Sequence, residues 1–125
     1  IDYLEKAGIF ILLYPNSQGY KLVRKAAKIY LENPNLFHAI ISEMGFRSEI
    51  GAIRESFFLN QIKQKHKVFE SVDADFLVDD KFNFEIGGKG KSLGKNPAKG
   101  HYVVADDIEV GAHNKIPLWL LGFLY

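Results

Sequence analysis

The sequence predicts an α/β domain in which a central mixed β-sheet is flanked by helices. Apolar residues recur at three- and four-residue spacing between Phe46 and Lys65, which is typical of a helix that packs along one face. Short alternating segments fill most of the chain from Lys67 to Ala105, which is typical of strands. With 125 residues, 47% of them hydrophobic, the chain is long enough to bury one core.

The first 33 residues predict the end of a helix followed by a hairpin. Residues 1–8 are typical of the last turns of a helix, with Gly8 as the C-terminal cap. A β-prone run follows over residues 9–14, then a turn over residues 15–19 and a returning strand that includes residues 28–31. This order resembles the second half of a winged helix. We interpret the chain as a piece of a longer protein, because a helix this short cannot bury itself.

Residues 34–125 predict the α/β domain itself. A helix begins near Asn33 and Pro34, and the longest helical pattern follows. The predicted strands then span residues 67–72, 74–78, 82–87 and 101–105, and residues 116–125 predict a short helix that lies on the sheet. On the long helix, Glu55 shares a face with apolar residues at three- and four-residue spacing, so its carboxylate points toward packing rather than toward water.

Composition excludes several classes of protein. The chain has no cysteine, which excludes disulfides and thiolate metal sites and suits a reducing cytoplasm, where we expect the protein. The longest apolar run is too short to span a bilayer, so we expect no membrane partner. The net charge of +1 does not by itself demand nucleic acid. Four lysines, however, lie in a stretch without acids: Lys89, Lys91, Lys95 and Lys99.

The hairpin over residues 74–87 predicts two carboxylates side by side. If residues 79–81 form its loop, Val78 pairs with Phe82, and Asp75 lies opposite Glu85. One face of the hairpin is then apolar, and the other carries like charges that cost about 0.2–1 kcal/mol. A divalent cation such as Mg²⁺ would turn that cost into a gain, because it prefers carboxylate oxygens. A salt bridge to Lys89 is the alternative that remains open.

These acids resemble those of the PD-(D/E)XK, or restriction-endonuclease-like, superfamily. Its members carry a glutamate on a helix, an aspartate on a strand and a Glu-x-Lys on the next strand, which here fall on Glu55, Asp75 and Glu85. More closely, the chain resembles the C-terminal domain of unknown function of prokaryotic AAA+-type ATPases. The stretches that carry this likeness are YLEKAGI from Tyr3, KIYLENPNL from Lys28, GAIRESFFLNQI from Gly51, ADFLVDDKFNFEIGGKGKS from Ala74 and YVVADDIEVGAHNKIPLWLLGFLY from Tyr102.

The resemblance implies a fold, partners and a site. It implies that an ATPase module and a winged helix precede this region and that the ATPase module is its partner, with a homo-oligomer left open. No GxxxxGK[ST] loop is present, so we expect no ATP site in this chain. The resemblance also implies Glu55, Asp75 and Glu85 as Mg²⁺ ligands. Lysine is expected at position 87, where this sequence has Gly87, and Lys89 is the nearest substitute.

Two functions therefore stay open at this point. The first is a degenerate DNA- or protein-binding module, which Gly87 favours. The second is a Mg²⁺-dependent DNA endonuclease, which the opposed carboxylates favour, with Glu55, Asp75, Glu85 and Lys89 as catalytic residues. Each feature also has a structural interpretation, such as a buried carboxylate bonded to an amide or a lysine-rich loop kept in solvent. The candidate phosphate-binding residues are Lys89, Lys91, Lys95, Lys99, Lys21 and Arg24.

Overall fold

The computed structural model describes residues 2–16, 28–45 and 50–124, which form two sheets and four helical segments. In chain order the elements are α1 (Asp2–Lys6), β1 (Phe10–Leu13), β2 (Lys28–Leu31), α2 (Pro34–Met44), α3 (Ile50–Ile62), β3 (Val68–Glu70), β4 (Phe76–Val78), β5 (Phe82–Gly87), β6 (His101–Ala105), β7 (Lys115–Pro117) and a closing 3₁₀ helix (Leu118–Phe123). The prediction of an α/β domain with a mixed sheet and helices is confirmed.

The larger sheet has five strands in the order β3-β4-β5-β6-β7. The first three are antiparallel neighbours, whereas β6 and β7 join in parallel, so the sheet is mixed. The strands β1 and β2 form a separate antiparallel pair. That pair is tied to the larger sheet where Pro15 bridges to Glu70 and the Glu70 amide donates to the Tyr14 carbonyl at 2.8 Å.

One side of the five-stranded sheet, here called the helix face, is apolar and packs on α3 and the 3₁₀ helix. Because side chains alternate along a strand, every second residue of β4, β5 and β6 points to this face. Phe58 of α3 is fully buried there, with its ring centroid 5.0 Å from that of Phe76 and 5.3 Å from that of Phe84. Leu13 and Tyr30 belong to the same core, so β1 and β2 are packed on it.

The other side, here called the loop face, is covered by the connection between β5 and β6. The strands β5 and β6 are parallel, and the connection between them, residues 88–100, contains no helix. It is here called the lysine loop. The residues of the loop face are more polar, because alternation places there Leu77, Asn83, Glu85, Gly87, His101, Val103 and Lys115. The same strands therefore present an apolar and a polar surface.

The predicted hairpin is confirmed in its loop and in its apolar pairs. Val78 pairs with Phe82 and Phe76 with Phe84, joined by a three-residue loop. Asp79 and Asp80 in that loop adopt positive φ angles of 52° and 57°, which aspartate tolerates better than most residues.

One other prediction was partly wrong, and several predicted positions lie outside the described residues. The helix predicted over residues 116–125 is preceded by strand β7, so its first part was wrong: Ile116 and Pro117 extend the sheet edge, where proline is tolerated. Lys21, Arg24, the turn over residues 17–19 and Phe46 lie outside the described residues. In the part of the chain that is described, no helix has the length and apolarity needed to cross a bilayer.

Candidate functional site

The first predicted site residue, Glu55, lies in the middle of α3 and is bound by a tyrosine. The Tyr30 hydroxyl of β2 donates to Glu55 Oε2 at 2.7 Å. The Tyr30 ring packs beside Phe76, with 5.7 Å between centroids, which fixes the hydroxyl toward α3. Burial raises the pKa of the Tyr30 hydroxyl, and the Glu55 carboxylate raises that pKa further. The tyrosine therefore stays protonated and acts as a hydrogen-bond donor.

The second residue, Asp75, immediately precedes β4 and replaces a backbone acceptor. Its amide donates to the Phe84 carbonyl at 3.1 Å, and its carboxylate Oδ2 accepts the amide of Ile86 at 2.8 Å. The ladder between β4 and β5 ends at Phe76 and Phe84. The predicted pairing of Asp75 with Glu85 is therefore not formed: the Asp75 main chain bonds to Phe84, and the Asp75 side chain accepts the Ile86 amide.

The third residue, Glu85, lies on β5 and forms an ion pair with a lysine of the loop. Lys91 Nζ is 3.1 Å from Glu85 Oε2. The hydrogen bond and charge of Glu85 raise the pKa of the Lys91 ammonium, and the charges of Asp75 and Glu55 raise it further. Glu85 is therefore the main partner of this ammonium.

The position of Lys91 depends on the absence of a side chain at Gly87. A Cβ atom added to Gly87 would lie 2.7 Å from both Cβ and Cγ of Lys91 and 3.0 Å from its Cδ. Such distances are far below ordinary carbon contacts, so the lysine stem occupies the space that a side chain at position 87 would need. The loop thus places the stem of a lysine beside Gly87, four positions later in the sequence.

Lys89, the lysine proposed from the sequence, is used differently. Lys89 is exposed, and its backbone carbonyl accepts a hydrogen bond from Lys115 Nζ at 2.6 Å. The lysine that contacts Glu85 is Lys91 and not Lys89. The strand ends at Gly87, so the alternation that would carry Lys89 to the face of Glu85 does not continue.

The three carboxylates do not share a metal position in this arrangement. Over residues 2–16, 28–45 and 50–124, no three histidine, aspartate or glutamate side chains lie close enough to hold one metal ion. The reason is visible in the fold: Glu55 belongs to the helix on one side of the sheet, whereas Glu85 faces the other side. Ligation of Mg²⁺ by Glu55, Asp75 and Glu85 stays a prediction.

The predicted phosphate-binding lysines lie on the lysine loop. Lys89, Lys95 and Lys99 are exposed, and with the described residues none of the three forms an ion pair. Lys91 is committed to Glu85. Three ammonium groups are therefore presented to solvent beside the loop face, and their role in binding nucleic acid stays a prediction.

Sequence reasoning missed Tyr30 and Arg54. Arg54 of α3 reaches the loop after β6, where its Nε is 3.0 Å from Asp106 Oδ2 and its Nη2 is 3.4 Å from Asp107 Oδ2. The guanidinium lies beside Gly88, just after the carboxyl end of β5, and links α3 to the loop that follows β6. Local pattern could not reveal this contact, because Arg54 and Asp106 are 52 residues apart in the sequence.

Comparison with protein-family models, with curated proteins and with solved structures found no match for this chain.

Proposed function

We propose that this chain is the C-terminal accessory domain of a prokaryotic AAA+-type ATPase and that it binds DNA through the lysine loop without an ATP site of its own. In this proposal residues 34–125 form a degenerate restriction-endonuclease-like domain, and residues 1–33 are the remnant of a winged helix. Support comes from the sequence resemblance and from a mixed sheet with a glutamate-bearing helix packed on it.

The observation that carries the binding function is the ion pair between Lys91 and Glu85. Each predicted carboxylate already has a partner inside the protein: Glu55 has a tyrosine hydroxyl, Asp75 has a backbone amide and Glu85 has an ammonium. The acids are therefore used to hold the fold and the loop in place. The three lysines of the same loop that form no ion pair with any described residue are exposed, and ammonium groups of this kind bind the phosphates of DNA.

The test is the binding of a fluorescent DNA duplex, followed by anisotropy between 50 and 200 mM salt. A triple variant with alanine at Lys89, Lys95 and Lys99 should flatten the salt slope by about two to three, because roughly one counterion is released per phosphate contact. The matched control places alanine at three other exposed lysines, Lys6, Lys65 and Lys67. An equal loss in both triple variants would show unspecific attraction and would refute the assignment to the lysine loop.

One observation favours a second function, a Mg²⁺-dependent nuclease. Lys91 Nζ lies 3.1 Å from Glu85 Oε2, so an ammonium is present beside one of the acids that such an enzyme needs. In a nuclease of this kind the metal would activate water and stabilise charge on the phosphate.

Incubation of plasmid DNA with the chain and Mg²⁺ or Mn²⁺ separates the two functions. Cleavage that both Glu85→Ala and Lys91→Met abolish would establish the nuclease. Salt-sensitive binding without cleavage would support the binding module.

A further inference from the structure

A pocket of about 420 Å³ lies on the loop face, between the lysine loop and the turn that precedes β7. One wall is the loop itself, and the opposite wall is the segment that leads into the edge strand. The lining residues that matter here are Leu93, Lys95, Val103, Ala112, Asn114 and Lys115. Its size is within the range of small-molecule sites.

The charge of the lining is one-sided. It contains two lysines and one histidine and no aspartate or glutamate. Lys115 is held in place because its ammonium donates to the Lys89 carbonyl at 2.6 Å, which leaves its other protons for a ligand. Asn114 is also fixed, because its side chain donates to the His101 carbonyl at 2.9 Å. An anionic group would therefore meet preorganised donors.

Part of the lining is apolar. Val103 lines the pocket but is only 2% exposed, so the accessible carbon surface comes mainly from Leu93, Pro97 and Ala112. A bare inorganic anion would gain nothing from this surface, whereas a ligand with an apolar part beside its anionic group would use both. The lining thus fits an organic anion, such as an organic phosphate, better than an isolated ion.

The pocket is one strand away from the Glu85–Lys91 pair. In the register of the sheet, Val103 is the direct partner of Glu85 on one side and of Lys115 on the other. A ligand seated against Val103 therefore lies next to the site at which the lysine loop is anchored. One of the exposed lysines of the loop, Lys95, also lines the pocket.

We propose that this pocket binds a single nucleotide unit, with its phosphate at Lys95 and Lys115 and its sugar and base against Leu93 and Ala112. The choice of a nucleotide among organic phosphates rests on the proposed function, because the adjoining lysines would hold the rest of a DNA strand. The same chemistry is offered by a free nucleotide and by the end of a strand, and the experiment separates these two sources.

The experiment is an NMR titration of the 125-residue chain, first with thymidine 5′-monophosphate and then with a 5′-phosphorylated single-stranded oligothymidine. Shifts of the Leu93, Gly94 and Asn114 amides report on the pocket. We expect both probes to shift these amides, and the oligonucleotide to bind more tightly because the outer lysines add contacts. Inorganic phosphate serves as the competitor that tests whether the apolar part of the ligand matters.

Two variants and one control test the contacts. Lys95→Glu should weaken the mononucleotide about tenfold or more, the equivalent of one hydrogen bond to a charged group. Leu93→Ala should weaken the mononucleotide while leaving inorganic phosphate unaffected. Lys65→Glu makes the same charge change at an exposed lysine outside the pocket and should change mononucleotide binding little. Melting curves verify that each variant is folded. If Lys95→Glu does not fold, Leu93→Ala alone still tests the proposal.

The outcomes separate this inference from the proposed function. Mononucleotide binding without DNA binding would support the pocket and refute the DNA-binding module. DNA binding without shifts in the pocket amides would support the module and refute the pocket. If inorganic phosphate displaces the mononucleotide with equal affinity, the pocket recognises the anion alone and the nucleotide assignment is wrong.

Discussion

The two faces of the five-stranded sheet differ in what their residues contribute. On the helix face, Phe58, Phe76 and Phe84 form a packed aromatic cluster with almost no exposed surface on Phe58 and Phe76. On the loop face, Glu85 carries an ion pair, and Gly87 leaves room for a lysine stem. The first face stabilises the fold, whereas the second holds a charged loop in one place.

The comparison shows that the same strands can carry packing residues on one face and charged residues on the other. Because neighbouring residues such as Glu85 and Ile86 point to opposite sides, polar groups can change on one face without entering the core on the other. Loss of packing on the helix face should therefore unfold the protein, and changes on the loop face should mainly move the lysine loop.

The largest effect is expected on the helix face. Phe58→Ala removes a fully buried ring that contacts both Phe76 and Phe84, and should lower the free energy of unfolding by about 3–5 kcal/mol. Urea denaturation measures the change. Phe123→Ala, at a ring that is 64% exposed, is the matched control and should cost far less. Similar losses in both variants would contradict the assignment of the core.

A smaller effect is expected at Gly87 on the loop face. Gly87→Ala forces the new methyl group against the Lys91 stem and should cost about 1–3 kcal/mol, as other overpacked sites do. In a Lys91→Gly background all three crowded side-chain atoms are gone, so the same substitution should cost much less. A double-mutant cycle on denaturation free energies measures this coupling. Strict additivity would mean that Lys91 does not occupy the space beside Gly87.

The smallest effect is the pH dependence of the Lys91–Glu85 pair, which is partly exposed. The folded-state pKa of Lys91 is raised above its unfolded value, so the pair stabilises the protein fully below about pH 10.4, the unfolded value, and this contribution is lost as the pH rises through the folded pKa. The stability difference between the wild type and Lys91→Met should therefore be constant near neutral pH and shrink in alkali.

Thermal melts across the alkaline range check this prediction. Lys91→Arg serves as the control, because arginine stays charged there and its difference from Lys91→Met should persist. A wild-type difference that does not change with pH would exclude the ion pair as its source.

Much of the sheet could be predicted from local pattern. The hairpin of β4 and β5 follows from alternation and from a short loop in which Asp79 and Asp80 accept positive φ angles. The helix α3 follows from its periodic apolar residues. These features depend on residues close together in the sequence, so periodicity was sufficient.

The site could not be predicted in full, because its contacts depend on where the chain returns. The bond from Tyr30 to Glu55 joins two elements that are 25 residues apart. Asp75 was expected to face Glu85, but alternation does not reveal that its carboxylate takes the Ile86 amide and ends the ladder. Nor does it give the path of the lysine loop, which decides that Lys91 reaches Glu85.

The stem of Lys91 lies over Gly87, so the ammonium beside Glu85 comes from a loop and not from a strand. This origin affects how the sequence around the ion pair can change. Residues fixed within a strand cannot move by one position without reversing the side they face. A side chain that comes from a loop can change its position in the sequence more easily, because loops tolerate insertions and deletions. The flexible four-carbon stem of lysine also allows its ammonium to reach the same place from slightly different backbone positions. The order of residues along the chain can thus drift while the positive charge stays in the same place, and a search for a fixed spacing would overlook it.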